Sequence, residues 1–176
     1  FHMFFLRGFY ESVVLTDGMR DERHALWQSA PLTGMAAVDH IEVLKGAASM
    51  SVGHSALGGV VNIINKQPRS RASYEASYTR GSWGTNRVTA GATGALSKKL
   101  NARADVEYLD SDGWRGNYTK QANAYAAIDY RIHPKHRLGL SLILSRDRFR
   151  GDYGQPHLAW DVYDSATDQL AYKMGS

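Results

Sequence analysis

The chain has 176 residues, 43% of them hydrophobic, with a formal charge of +4 and a pI near 9.3, a size that suits one ordinary domain. It has no cysteine, which removes disulfides and thiolate chemistry, and no run of roughly 18 apolar residues that could form a membrane-spanning helix. Asp or Glu recurs beside Lys and Arg throughout, so the basic charge forms no stripe and nucleic acid is excluded as a partner.

The chain opens on Phe1-His2-Met3-Phe4-Phe5-Leu6-Arg7-Gly8-Phe9, too short and too poorly flanked for a secretory signal, and it reads as a chain entered midway. Val13 to Thr16 is a β-branched run that predicts a strand, ended by a turn at Asp17-Gly18. Arg20 to His24 is polar and, with the aromatic Trp27 after it, is expected to be exposed. Pro31 to Asp39 predicts a short helix, Ile41 to Leu44 a second strand, and Ala47 to Val52 a further helical turn. Val60 to Ile64 supplies a third strand that stops before Pro68. Residues 1–68 therefore predict a compact mixed α/β unit. Within it, Gly53 to Gly59 superficially suggests an anion nest, but the GxxxxGK[ST] spacing is absent and turns explain the glycines.

The pattern changes at about Arg71. Ala72, Tyr74, Ala76 and Tyr78 share one face against Ser73, Glu75, Ser77 and Thr79, and the alternation is cleanest in Leu100, Ala102, Ala104, Val106 and Tyr108, interleaved with Asn101, Arg103, Asp105 and Glu107. Ala122 to Tyr130 and Leu138 to Leu144 repeat it. Period-two alternation predicts strands, here near 71–80, 86–96, 100–109, 120–132 and 137–149. The connections at Ser97-Lys98-Lys99 and His133 to His136 are short, whereas Asp110 to Tyr118 is longer. That asymmetry, with Tyr and Trp near segment ends, suits antiparallel transmembrane β-barrel strands of about ten alternating residues. A soluble β-rich adhesion or interaction module is the competing class. Five strands cannot close a barrel of at least about eight, so the chain is expected to be part of a longer protein.

Nothing in the chain calls for catalysis. Ser49, Ser51 and Ser55 near His54 lack an orienting acid. The seven histidines show no metal spacing, and His133 and His136 in a turn read as solvated rather than as zinc ligands. No cofactor or metal is expected.

The order of motifs resembles the TonB-dependent outer-membrane receptors, especially those for ferric siderophores. The residues concerned are Leu6 to Phe9, Leu15-Thr16-Asp17-Gly18-Met19-Arg20, Val38 to Ser49, and Gly58-Gly59-Val60-Val61-Asn62-Ile63-Ile64-Asn65-Lys66-Gln67-Pro68, with Gly81-Ser82-Trp83 where a first barrel hairpin would turn. The resemblance implies a plug inside a barrel of about 22 strands, with 1–68 the later plug and 69–176 the first five strands. It implies uptake of ferric siderophores across the outer membrane of a Gram-negative bacterium, driven by an inner-membrane complex through TonB and set in outer-membrane lipid. Haem, cobalamin or a glycan are the alternative cargoes. Arg7, Arg20, Glu42 and Lys45 are candidates for charge pairing within the plug or against the barrel wall. Arg23, His24, Trp27 and Gln28 are candidates for touching an anionic or aromatic chelate.

Overall fold

The computed structural model describes residues 12–20, 34–45, 59–150, 163–164 and 169–170. Two sheets carry the architecture. The smaller contains β1 (Ser12–Thr16), β2 (Met19–Arg20), β3 (Val38–Lys45) and β4 (Gly59–Asn65), in the order β2-β1-β4-β3. β1 runs parallel to β4, while β2 and β3 are antiparallel to their neighbours. The apolar run of β4 is buried because it is central, with Val13, Leu15 and Val60 in one cluster and Val14, Val61 and Ile63 in another.

The turn joining β1 to β2 has φ of 51° at Asp17 and 79° at Gly18, the paired left-handed conformation of a type I′ hairpin that Asp-Gly favours. Asp17 also reaches across to β4. Its two carboxylate oxygens accept from the backbone N–H and the side-chain amide of Asn65, both at 2.8 Å, and the Gly18 N–H donates to Asn62 Oδ1 at 3.0 Å. These contacts explain why two asparagines stand in an otherwise apolar strand.

The helix expected over Pro31 to Asp39 is not formed in its described part. Gly34 to Ala37 is a turn closed by Val38 N–H to Met35 O at 3.2 Å, and Val38 already pairs with Asn65 as a strand. The pairing with β4 takes the backbone groups that a helix would have used. The helical turn expected over 47–52 lies outside the described residues, which contain no α-helix.

The larger sheet is an antiparallel meander of β5 (Ser73–Arg80), β6 (Asn86–Ser97), β7 (Leu100–Ser111), β8 (Thr119–His133) and β9 (His136–Phe149). Its register stacks the apolar residues in rows, such as Ala76, Ala90, Val106, Ala124 and Leu144 across the five strands. Burial is inverted relative to a water-soluble sheet: on β7, Arg103, Asp105 and Glu107 are 5%, 2% and 4% exposed, whereas Val106 and Tyr108 are 52% and 48% exposed. The apolar rows face outward, and the ionic face packs inward against the small sheet. Tight turns at 98–99 and 134–135 close one end, and the loops 81–85 and 112–118 lie at the other. The two loops are tied together by Asp112 N–H to Trp83 O at 3.0 Å and by a 2.6 Å hydroxyl contact between Thr85 and Ser111. A small hairpin, β10 (Tyr163–Asp164) with β11 (Gln169–Leu170), follows.

Candidate functional site

The inward face of the large sheet meets the small sheet along the turn 34–37 and the end of β4. Ala36 N–H donates to Glu107 Oε2 at 2.9 Å, and Arg87 Nη2 donates to Glu107 Oε1 at 2.7 Å. A second contact pairs Lys66 Nζ with Glu75 Oε2 at 2.6 Å, while Arg103 Nη2 holds Glu75 Oε1 at 2.8 Å. Arg103 is gripped in turn by Asp105, from Nε and from Nη2, each at 2.7 Å. Lys66 N–H donates to Ala37 O at 2.7 Å, so the turn and the lysine form one unit.

Alternation on β5, β6 and β7 points Glu75, Arg87, Arg103, Asp105 and Glu107 to the same side. Arg103 and Asp105 have side-chain exposures of 4% and 2%. A buried pair of this kind is tolerated because each charge has a partner and several hydrogen bonds. Around the ionic contacts, Ala37 packs on Tyr125 and Ala127. Arg69 N–H donates to Thr93 Oγ1 at 2.9 Å where the chain passes from β4 to β5. A polar groove of about 280 Å³ runs beside the turn, walled by Ser77, Thr79 and Thr89 on one side and Met35 and Lys66 on the other.

Two glycines permit this packing. At Gly34 a Cβ would come within 2.7 Å of Asn123 Cβ, so the turn approaches β8 at a distance no side chain allows. Gly91 stands across from Asp105 in the register, and a Cβ there would overlap the Asp105 carboxylate that grips Arg103. Gly91→Ala is expected to destabilise the full-length receptor by about 1–3 kcal/mol, as overpacking does. Chemical unfolding in detergent micelles checks this, and an unchanged midpoint would contradict the geometry.

A family model described as TonB-dependent Receptor Plug Domain matches residues 1–60. The ferripyoverdine receptor of Pseudomonas aeruginosa is 29% identical over 136 residues, covering 74% of this chain and 17% of that protein. The ferric-pyoverdine M114 receptor PbuA of Pseudomonas sp. is 33% identical over 113 residues, covering 60% of this chain and 13% of that protein. Among solved structures, the ferripyoverdine receptor of Pseudomonas aeruginosa bound to ferripyoverdine superposes with a TM-score of 0.76 at 26% identity, covering 81% of this chain and 20% of that one. The chain belongs to the TonB-dependent outer-membrane receptor family.

Membership places the chain in the outer membrane of a Gram-negative bacterium and in a receptor family rather than an enzyme family. The chain spans only 17% and 13% of the length of the two relatives. Arg7, Arg23, His24, Trp27 and Gln28 lie outside the described residues of this TonB-dependent receptor. Arg20 is exposed on β2. Glu42 is exposed on β3, where it accepts from Asn62 Nδ2 at 2.9 Å and lies 3.6 Å from His40 Nε2, and Lys45 ends the same strand. Among the described residues, neither Glu42 nor Lys45 forms an ion pair with the large sheet; Glu75 and Glu107 link the two sheets instead, through Lys66 and the Ala36 N–H. Their signal in the sequence was charge recurring at every second position of predicted strands.

His40 forms its own small ionic cluster. Its Nδ1 lies 2.9 Å from Asp39 Oδ2, and this hydrogen bond raises the histidine pKa above its ordinary value, with Glu42 adding to the effect and desolvation opposing it. The same bond lowers the pKa of Asp39. A raised histidine stabilises the fold below its unfolded pKa and loses that contribution as pH rises through the folded value. NMR titration should therefore find His40 protonated above the pH of an ordinary histidine, and Asp39→Asn should bring the midpoint down. An identical midpoint in both proteins would rule out the pair.

Proposed function

We propose that residues 1–68 form the later part of the plug and 69–176 the first strands of a barrel of about 22 strands, within a receptor that takes up ferric siderophores. The pyoverdine receptors among the relatives support that cargo. The observation that carries the reading is the ionic seam between turn 34–37, Lys66 and the inward wall, because a plug that must move needs contacts that hold and then let go. Energy enters from the inner-membrane complex through TonB and favours a rearranged plug with weaker cargo contacts.

The seam suits release. When the plug withdraws Ala36 and Lys66, Glu107 keeps Arg87 and Glu75 keeps Arg103, so neither carboxylate is left alone. For Glu107, whose side chain is 2% exposed, this avoids the cost of orphaning a buried charge, whereas Glu75 is about half exposed. Arg7, Arg20, Glu42 and Lys45 add charge that holds the plug sheet in its closed form.

Uptake of radiolabelled iron chelates by cells carrying the full-length receptor, with haem and cobalamin as controls, tests the cargo. Transport of haem or cobalamin without any iron chelate would replace this reading. Arg23, His24, Trp27 and Gln28 contact the chelate through charge and stacking in this proposal. The double variant Trp27→Ala and Arg23→Ala should weaken chelate binding about tenfold or more, given about 1–2 kcal/mol for a desolvated stacking or cationic contact. Unchanged affinity would remove this patch from the binding site.

A further inference from the structure

The outward face of the large sheet is apolar up to its loop-bearing rim, where the last row is polar, running Arg80, Asn86, Asp110, Lys120 and Arg148. Lys120 on β8 and Arg148 on β9 are directly paired in the register, and Arg146 pairs with Ala122 one row below. All three point outward, because they continue the alternation of Ala122 to Tyr130 and of Leu138 to Leu144. Directly paired residues on antiparallel strands stand about 5 Å apart and diagonal ones about 7–8 Å, so the three cations crowd into one patch.

The register also fixes the height of the patch. The row of Arg146 contains Tyr78, Val88, Tyr108 and Ala122, which is the aromatic level at the edge of the apolar band. Lys120 and Arg148 lie one row further out, at the end bearing the loops 81–85 and 112–118. Longer loops mark the extracellular end of such barrels. Lys120 Nζ has a single exposed contact with Asp110 Oδ2 at 3.3 Å. Arg146 and Arg148 are exposed, with no ion-pair partner among the described residues.

Below the patch, Leu144, Leu142 and Leu140 pair with Ala124, Ala126 and Ile128, forming an apolar ladder on the same two strands. Cations above an apolar strip match a lipid with an anionic headgroup and acyl chains. Arginine suits phosphate because its planar guanidinium donates two parallel hydrogen bonds. We infer that Lys120, Arg146 and Arg148 form a binding site for the phosphate groups of an outer-leaflet glycolipid, whose acyl chains lie along the Leu140 to Leu144 ladder.

The full-length receptor in detergent is titrated with bisphosphorylated lipid A, with the same lipid A after phosphatase treatment, and with phosphatidylglycerol. Tightest binding of the phosphorylated glycolipid is expected. Each cation at a membrane surface strengthens binding of anionic lipid about fivefold, so Lys120→Gln, Arg146→Gln and Arg148→Gln together should weaken it about a hundredfold. Arg148→Gln alone should show a smaller loss in the same direction, which keeps the test open if the triple variant folds poorly. Lys98→Gln with Lys99→Gln, at the opposite rim, should change nothing. The inference is overturned if the substituted receptor keeps its affinity, if dephosphorylated lipid A or phosphatidylglycerol binds as well, or if the Lys98 and Lys99 variant loses as much.

Discussion

Arg103→Met should lower the unfolding free energy of the full-length receptor by about 3–5 kcal/mol, the cost of removing one member of a buried ion pair. The size follows from what is left behind. Asp105, 2% exposed, would lose two hydrogen bonds at once, and Glu75 would keep only Lys66. Methionine preserves much of the side-chain volume, so the loss reports on charge rather than on a cavity. Adding Asp105→Asn to Arg103→Met should restore part of the stability, because a neutral amide is cheaper to bury than a bare carboxylate. Denaturant unfolding in micelles, followed by the mobility change of unfolded barrels on unheated gels, measures both variants. Wild-type stability in the single variant would show that Arg103 does not hold the wall together.

Glu107→Leu should act on the turn at 34–37 more than on the large sheet. The side chain accepts from the Ala36 amide and from Arg87, and hydrogen bonds to a charged group contribute about 1.5–3 kcal/mol each. Losing the contact with Ala36 should raise hydrogen exchange at that amide about 10- to 100-fold, by the same energies. Amides in the middle of β7 and β8 should change far less, because their ladder bonds are intact. Glu107→Gln keeps an acceptor oxygen and should fall between the two. Exchange at Ala36 that is no faster in Glu107→Leu would mean that the turn is held elsewhere.

The strands of the large sheet were legible in the sequence because each separates two environments. Ala102, Ala104, Val106 and Tyr108 face outward while Arg103, Asp105 and Glu107 pack inward, so the alternation survives in the residue order. The Asp17-Gly18 turn was legible for a local reason, since its backbone shape is set by those two residues. The turn at 34–37 was not. Its conformation depends on Glu107, which is 71 positions away, and on Asn65, and no window around Pro31 contains either.

The candidate site divides in the same way. Glu42 and Lys45 were candidates for charge pairing, yet Glu42 is occupied by His40 and Asn62 of its own sheet. Glu75, Arg87 and Glu107 were visible as the charged face of strands. Their joint role came from the register, which sets strands β5, β6 and β7 side by side.

The resident arginines also bear on how fast the turn at 34–37 can rejoin the large sheet. Arg87 on Glu107, and Arg103 between Glu75 and Asp105, are contacts within the large sheet that need neither that turn nor Lys66. Docking of the turn therefore meets a preformed surface, and little side-chain ordering remains to slow it. Variants that loosen Arg87 or Arg103 should slow that step even where the turn itself is unchanged.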